Sequence, residues 1–529
     1  MTMPLEGQGP SAAETPDPTA GRLPMTRGSG AVLALMGVIA IAWGIYRPDV
    51  RRPFDFVDFP ETLLILQQHD SFVSQVAGLT TSLLAHARLN LFVYLLIAAK
   101  WSVFGWWTPG WQLARFATMS TAVVLTYALL RRLRISVAGA LAGATIYVVA
   151  PAAVRGWIRL TSAEPVVVMF VLLAALLATY YQTSRRKVAI GAGLAVIGVV
   201  VVMTKEVVVV AYALPLYLLL TTRSTGLLSY PRIDRTNRAV LAAVVGALVV
   251  ALIPGIWVFL NAPVASYGHW FGTARPSVFD LLAMTIAGLV PFLPGGSALG
   301  MLVVNAGYWG LLLAGLPLTV QSGTERQHAG WLLILAIGLP LLGGVVYLPW
   351  PNFQLVYAVP FLFGEAILIG VAMTYLQKHG KTATRVAGTA WCLVLAYAIP
   401  EAVTEARRVE AIQFSTSQLL PRVAQERDVD SVFVAAPQEV LDQRGLFGPR
   451  LFMYAQATQQ PWPSTKDVSC PEAERAGSSS PRVVVVWSTF MCGPSPLAGE
   501  TIRSVYPRWD WKSLRLVNDS MRFDILRAK

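Results

Sequence analysis

Residues 185–203 read RRKVAIGAGLAVIGVVVVM, a basic triplet followed by sixteen uncharged, mostly apolar residues. Runs of this kind recur from about residue 31 to residue 402, and each is close to the ~20 residues with which a helix crosses a hydrocarbon core of ~30 Å. Of the 529 residues, 55% are hydrophobic and only 13% are charged, and the mean hydropathy is +0.55. In soluble domains about a quarter of the residues are charged. The sequence therefore predicts a polytopic helical membrane protein and excludes a soluble globular enzyme.

The positive charges indicate how the chain is oriented. The formal net charge is +13, from 42 Lys and Arg residues against 29 Asp and Glu residues, and the bases fall in short loops at residues 131–134, 185–187, 223–238, around Arg326 and at 378–385. Cytoplasmic loops of membrane proteins carry such an excess, so nucleic-acid binding is not expected. All these loops are cytoplasmic only if the apolar residues 91–107, with Lys100, Trp101, Trp106 and Trp107, lie at the outer interface and do not cross.

With the basic loops assigned to the cytoplasm, the chain is predicted to have three parts. Residues 1–28, rich in Pro, Gly, Ser and Thr, are a disordered cytoplasmic tail. Residues 29–403 are an all-α transmembrane domain with an outer loop at 47–90 and an interfacial helix at 91–107, and residues 404–529 are a small extracytoplasmic α/β domain. The eleven predicted crossings are 30–46, 112–130, 137–154, 165–182, 188–203, 206–221, 239–260, 299–319, 330–348, 354–376 and 386–402.

Two Val-rich runs indicate the α/β character of the C-terminal part. Continuous apolar runs at residues 431–434 and 482–487 are typical of strands in a buried sheet, and helical patterning occurs at 417–426 and 437–446. Because an extracytoplasmic location permits disulfides, Cys470 and Cys492 are either a bridge or two free thiols.

Acidic residues predicted on the outer face are candidates for chemistry. Asp55 and Asp58 stand among Phe54, Phe56 and Phe59, a setting that could bury a carboxylate and position it as a general base, although an acid in a loop is equally often only solvated. Glu164 stands where a helix is predicted to start, and negative charge is favourable there without any function.

Short motifs follow one another through residues 30–402. They are the acid at Asp55 or Asp58, His86-Ala87-Arg88-Leu89, Gly105 followed by Arg115, Arg159 followed by Glu164, and Thr204-Lys205-Glu206. Together they resemble the GT-C superfamily of glycosyltransferases, above all lipid A aminoarabinose transferases and protein O-mannosyltransferases, with their first-loop acid, His-Pro-Pro-Leu stretch, second-loop acid and Thr-Lys turn. Both prolines of the His-Pro-Pro-Leu stretch are absent here, and the second-loop acid is Glu in place of the usual Asp.

The resemblance implies transfer of a sugar from a polyprenyl-phosphate donor to a glycan, lipid or protein acceptor on the extracytoplasmic face. It implies catalytic roles for Asp55, Asp58 and Glu164, with a first-loop Asp as the general base. The candidates for donor-phosphate binding are Arg88, Lys205, His269 and Arg275, and the candidates for sugar or acceptor binding are His86, Trp350 and Tyr357. No cofactor is required and residue spacing implies no metal site, although the two acidic loops could share a divalent ion.

Four of these candidates also have a purely structural interpretation. His269 and Arg275 stand beside aromatic residues, where basic side chains snorkel to the interface. Lys205 could contact lipid headgroups at a helix break, and Trp350 could belong to an interfacial aromatic belt.

Two further classes of function compete with the transferase. A transporter or flippase for a lipid-linked sugar or other polar lipid is the main alternative, but such proteins often have inverted repeats and mid-membrane sites. Here we find no internal repeat, and the acids cluster at one face. A non-catalytic assembly or sensor protein with a membrane anchor would not need eleven crossings.

Overall fold

A computed structural model of the protein describes residues 28–46, 60–84, 90–158, 163–224, 227–231, 235–261, 298–321, 325–347, 355–425, 430–436, 464–479, 482–488, 499–510 and 515–527. The α-helices are α1 Gly28–Tyr46, α2 Pro60–Gln68, α3 Phe72–Leu84, α4 Leu91–Phe104, α5 Thr108–Arg132, α6 Val137–Val149, α7 Pro151–Ile158, α8 Ala163–Tyr181, α9 Lys187–Thr204, α10 Ala213–Leu220, α11 Arg235–Asn261, α12 Ala298–Gly315, α13 Leu318–Gln321, α14 Arg326–Tyr347, α15 Phe363–Lys378, α16 Lys381–Gln425 and α17 Cys470–Ser479. Two 3₁₀ helices span Glu206–Tyr212 and Leu355–Phe361.

Seven helices in the described residues are long and apolar enough to cross a membrane. They are Ser29–Tyr46, Thr108–Arg132, Ala163–Tyr181, Lys187–Thr204, Asn237–Val258, Ala358–Lys378 and Lys381–Arg407. The pair α6 and α7 is an eighth if it counts as one span with a bend of 57°. The chain bends there because Pro151 cannot continue a helix and keeps the preceding residue, Ala150, extended.

These helices confirm the predicted multi-pass helical chain. The other three predicted crossings, 206–221, 299–319 and 330–348, also fall on helical segments in the structure. The total of eleven crossings stays a prediction.

Glycines bring α6 and α15 into direct backbone contact. A Cβ atom added at Gly139 would stand 2.5 Å from the carbonyl oxygen of Gly370, and one at Gly143 would stand 2.6 Å from that of Ala366. Small residues four apart on both helices therefore let the two backbones approach, as is common where membrane helices pack. This contact lies at the centre of the bundle, since residues 358–376 are all buried.

One end of the bundle gathers the basic loops. The Arg132 guanidinium lies 4.3 Å from the ring centroid of Tyr180, the Lys378 ammonium pairs with Glu325, and His328 contacts the backbone of residue 133. We call this the basic end and define it by residues 131–135, 180–183, 325–328 and 374–378. The β1–β2 hairpin, Thr221–Ser224 and Leu227–Pro231, also lies here, because Leu228 donates its N–H to His328.

His328 connects three segments at the basic end. Its Nδ1 accepts the N–H of Leu228 at 3.1 Å, so its Nε2 carries the proton and donates to the carbonyl of Leu133 at 3.1 Å. The ring is therefore neutral, and burial lowers the pKa of His328 to about 4. The imidazole holds the hairpin, the end of α5 and the start of α14 together.

The C-terminal part contains a five-stranded mixed sheet. Its strands are β3 Ser431–Ala436, β4 Ser464–Ser469, β5 Val483–Ser488, β6 Gly499–Asp510 and β7 Arg515–Arg527, in the order β4-β3-β5-β7-β6. Strands β4, β3 and β5 are parallel, and β7 is antiparallel to β5 and β6. This sheet confirms the predicted small α/β unit, and the predicted helical pattern at 437–446 lies outside the described residues.

Both faces of the central strands are buried, which explains their continuous Val-rich sequence. On one face Val432 and Val484 pack in a cluster with Leu63, Tyr94 and Trp111 of the helical domain. On the other face Val485 packs against the small helix α17 through Ala473. The sheet therefore shares a hydrophobic core with α2 to α5.

Candidate active site at one end of the bundle

A buried ion pair joins the second-loop acid to the predicted Thr-Lys turn. Glu164 lies in the first turn of α8 and is only 4% exposed. Its carboxylate pairs with the Lys205 ammonium, and the two side chains are 6% and 18% exposed. Because little water screens such a pair, the attraction between the two charges is strong, and removing one of them is costly.

The local sequence explains why these two side chains meet. Glu164 is favoured in a first helical turn, where it faces the positive end of the helix dipole, and Pro165 is tolerated beside it. Helix α9 ends at Thr204, and Lys205 adopts an extended conformation, with φ of −163°, before the 3₁₀ helix begins. The break takes Lys205 out of the helix, and its ammonium reaches the start of the neighbouring α8.

Arg115 caps two helices at the same end. Its guanidinium donates to the carbonyl of Ile158 at 2.9 Å and to that of Tyr46 at 3.2 Å. These are the last residues of α7 and α1, whose C-terminal carbonyls carry partial negative charge. Arg115 is 6% exposed and so fixes α1, α5 and α7 to one another. We call this region the site end and define it by residues 46, 115, 158, 164 and 205.

Lys100 of α4 lies over Trp111 of α5, which is four residues before Arg115. Its ammonium is 5.8 Å from the ring centroid of Trp111. Burial and the neighbouring Arg115 lower the pKa of Lys100 to about 8. Among the described residues, no carboxylate forms an ion pair with Lys100.

Gly105 sets the position of α4, which carries Lys100, relative to α5. Its φ of +48° ends α4 in a region that favours glycine. The Gly105 carbonyl then accepts the indole N–H of Trp111 at 3.1 Å. The predicted Gly105 and Arg115 motif is thus a pair of structural residues that fix three helices and the place of Lys100.

A second ion pair ties the long helix α16 to the site end. Arg155 Nε lies 2.6 Å from Glu405 Oε1, with side-chain exposures of 35% and 11%. Arg155 belongs to α7, which leads directly into the segment before Glu164. Glu405 therefore restrains the chain that presents the second-loop acid.

The structure brings together two of the predicted site residues, Glu164 and Lys205. Tyr357 lies in the 3₁₀ helix Leu355–Phe361. The remaining candidates are outside the described residues: Asp55, Asp58, His86, Arg88, His269, Arg275 and Trp350. Their roles stay predictions. Within the described part of the chain, no group of three His, Cys, Asp or Glu residues could hold a metal ion.

One buried acid was not among the predicted site residues. Glu365 in α15 is fully buried, and neither carboxylate oxygen has a hydrogen-bond partner in the described structure. It is the one charged residue in the predicted crossing 354–376, and an ionisable residue inside a membrane span marks a functional candidate by itself. That signal was available in the sequence.

Fold and site define a multi-pass helical membrane protein with a charged cluster at one end of its bundle. Among solved structures, the chain is similar to ArnT from Cupriavidus metallidurans bound to undecaprenyl phosphate, at 15% identity and a TM-score of 0.46, over 94% of this chain and 98% of that one. It is also similar to the mycobacterial arabinofuranosyltransferase AftD, at 14% identity and a TM-score of 0.48, over 96% of this chain and 40% of AftD. No protein-family model and no curated protein matches the chain.

Proposed function

We propose that this protein is a membrane glycosyltransferase that moves a sugar from a polyprenyl-phosphate donor to an acceptor on the extracytoplasmic face. The observation that supports it is the gathering of Glu164, Lys205, Lys100 and Arg115 at the site end, away from the basic loops. Cations stabilise a departing phosphate, and a carboxylate can serve as the general base that activates a hydroxyl. The short motifs that resemble the GT-C superfamily point to the same reaction.

The proposed reaction is a direct displacement. The carboxylate of Asp55 or Asp58 takes the proton of the acceptor hydroxyl, whose oxygen attacks the anomeric carbon. The bond between that carbon and the phosphate oxygen breaks, and its electron pair stays on the polyprenyl phosphate. Positive side chains stabilise the leaving phosphate. In this proposal they include Arg88, Lys205, His269 and Arg275, while His86, Trp350 and Tyr357 contact the sugar or the acceptor.

Glu164 has a supporting role in this scheme. Paired with Lys205, it holds the ammonium at the helix break. A phosphate that arrives at the site end would share Lys205 with Glu164. Lys205 would then stabilise the leaving phosphate, and Glu164 would balance the charge of the ammonium before the phosphate binds.

The proposed orientation places the basic end in the cytoplasm and the site end outside. The positive-inside rule favours it, since the basic loops lie together. The N-terminus is then cytoplasmic and the C-terminal sheet extracytoplasmic. Cys470 is disulfide-bonded, which fits an oxidising compartment for the sheet.

A second candidate function is transport of a lipid-linked sugar across the membrane. Glu365 favours it, because a fully buried carboxyl within a span is typical of transport pathways and proton relays. The two functions differ in their product. A transferase forms a new glycosidic bond, whereas a flippase only moves the lipid between leaflets.

The test uses the full-length protein in proteoliposomes with radiolabelled polyprenyl-phosphate sugars. We expect Asp55→Asn or Asp58→Asn to lower sugar transfer by about 10²- to 10⁴-fold, the usual contribution of a general base. Asp70→Asn is the matched control, because Asp70 is an exposed acid of the same outer loop outside the proposed site. Full transfer by both variants would exclude a first-loop base. Translocation of the lipid without any transfer, lost in Glu365→Gln, would instead establish the flippase.

A further inference from the structure

Arg132, the last residue of α5, holds its guanidinium at the surface of the basic end, over the ring of Tyr180. We propose that Arg132, Tyr180 and Thr183 form a binding site for the phosphodiester of an anionic phospholipid. This inference goes beyond the proposed glycosyl transfer and does not depend on it. It is carried by the fixed position of the guanidinium, by its lack of a counter-charge and by the apolar surface that leads up to it.

Two contacts fix the position of the Arg132 guanidinium. Its carbon atom Cζ lies 4.3 Å from the centroid of the Tyr180 ring, which is within the range of a cation–π interaction. Its Nη2 donates to the hydroxyl of Thr183 at 3.4 Å. Helices α5 and α8 pack against each other and both end at the basic end, so the arginine at the end of one meets the tyrosine at the end of the other. A guanidinium that is already positioned loses little conformational freedom when it binds an anion.

Arg132 has no counter-charge among the described residues. The residues that define the basic end include one acid, Glu325, and its carboxylate pairs with Lys378. A guanidinium has five N–H donors. In the described structure that of Arg132 makes the hydrogen bond to Thr183, while its Nε is shielded from water and has no acceptor. A phosphate would bring both the missing negative charge and acceptor oxygens for the terminal nitrogens, in the forked geometry that suits arginine.

Exposed apolar side chains on α5 and α8 lead up to the guanidinium. Leu173 lies two turns before Tyr180 on the same face of α8 and is 38% exposed, and Val124, eight residues before Arg132 on α5, is 39% exposed. Tyr180 is itself 45% exposed, and tyrosine favours the level of the lipid headgroups. Arg132 therefore lies at the end of a surface that acyl chains can cover, which favours a phospholipid over a soluble phosphate.

The surroundings of this site favour an anionic headgroup over a zwitterionic one. The loop that follows Thr183 adds the exposed Arg185 and Arg186, and the sequence has no acid between Glu164 and Glu206. Basic residues between membrane helices attract anionic lipids. We therefore expect the site to prefer phosphatidylglycerol to phosphatidylcholine.

Binding of dioleoylphosphatidylglycerol to the purified full-length protein in detergent micelles, measured by native mass spectrometry, tests the inference. The variants are Arg132→Gln, which removes the charge, and Arg132→Lys, which keeps the charge but not the planar fork. The matched control is Arg385→Gln. Arg385 is exposed near the start of α16, close to the basic end, and has no hydrogen bond, ion pair or ring contact of its side chain among the described residues. From the strength of hydrogen bonds to charged groups we expect a loss of affinity of about tenfold or more for Arg132→Gln, about threefold for Arg132→Lys and about twofold or less for Arg385→Gln.

Modification by phenylglyoxal, which reacts with guanidinium groups, gives a second readout on the wild-type protein. Peptide mass spectrometry should find Arg132 modified more slowly with dioleoylphosphatidylglycerol than with dioleoylphosphatidylcholine, because the bound phosphate covers the guanidinium. Arg385 should be modified at the same rate with both lipids. This readout needs no substitution, so it decides the question even if Arg132→Gln does not fold.

Three results would overturn the proposed site. Equal losses of affinity in Arg132→Gln and Arg385→Gln would mean that the basic end attracts anions without a defined site. Equal affinity of the wild type for the two lipids would exclude a preference for anionic headgroups. Equally strong competition by glycerophosphoglycerol, the headgroup without acyl chains, would mean that the ligand is a soluble phosphodiester and not a lipid.

Discussion

Replacing Glu164 by Gln should destabilise the folded protein by about 2–3 kcal/mol. Two opposite charges ~4 Å apart attract by about 4 kcal/mol at an effective dielectric constant of ~20, and the buried pair of Glu164 and Lys205 is little screened. The Gln amide still accepts a hydrogen bond from the ammonium, which returns about 1.5 kcal/mol. The remainder is the loss expected from removing one charge of a buried ion pair.

A double-mutant cycle with Lys205→Met separates this pair from other effects. We expect the variant with both substitutions to be more stable than Glu164→Gln alone, because it also removes the ammonium that has lost the charge of Glu164. Unfolding in mixed detergent micelles, followed by tryptophan fluorescence, measures the four free energies. Asp430→Asn is the control, since the pair of Asp430 and Arg482 is 3.5 Å apart with side chains 65% and 66% exposed, and such surface pairs contribute ~1 kcal/mol or less.

A coupling energy below about 0.5 kcal/mol in the cycle would refute the reasoning, because additive effects mean that the two side chains do not interact. The same proteins test the proposed function. If the doubly substituted protein is as stable as wild type but transfers no sugar, the pair acts in the reaction as well as in folding. Full transfer by that protein would limit the pair to a structural role.

Three more predictions address other parts of the bundle. His328→Gln keeps one hydrogen-bond acceptor and one donor but cannot titrate. Because the pKa of His328 in the folded state is lowered to about 4, the free energy of unfolding of the wild type should fall, relative to the variant, by up to ~1.4 kcal/mol per pH unit as the pH drops from about 6.5 to about 4. Equal pH profiles of the two proteins in chemical unfolding would contradict this. Gly143→Val should reduce the yield of folded protein in size-exclusion chromatography, since a Cβ there meets a backbone oxygen at 2.6 Å, whereas Gly246→Val, with nothing within 4 Å, should not. In a cysteine-free background, Ser162→Cys should react with an impermeant maleimide in whole cells and Arg132→Cys only after lysis, and the reverse pattern would invert the proposed orientation.

The sequence predicted the helices well because crossing a membrane requires long apolar runs, and the runs at 112–130 and 188–203 fall inside α5 and α9. The extent of α16 was harder to predict. Hydropathy falls after residue 402, the predicted end of the last crossing, but the helix itself continues to Gln425, and the helical pattern predicted at 417–426 falls on its final turns. A polar helix and a polar loop differ little in hydropathy, so the apolar run did not show that residues 403–416 continue the same helix.

The site was only partly predictable. Glu164 and Lys205 were chosen from short motifs, but their pairing depends on how α8 and α9 pack. Arg155 and Glu405 are 250 residues apart in the chain, and no local pattern connects them. Lys100 belongs to a helix whose position is set by Gly105 and Trp111, so the place of its ammonium over the Trp111 ring is visible only in the fold.

The 45 residues of α16 reach about 68 Å at 1.5 Å per residue, more than twice the ~30 Å of the hydrocarbon core. This length limits how the protein can be divided for experiments. A truncation after residue 404 would cut the helix in mid-course, remove Glu405 from Arg155 and leave the apolar face of α2 to α4 without its covering sheet. The C-terminal sheet is thus not a detachable module, and a soluble fragment of it would expose Val432 and Val484 to water.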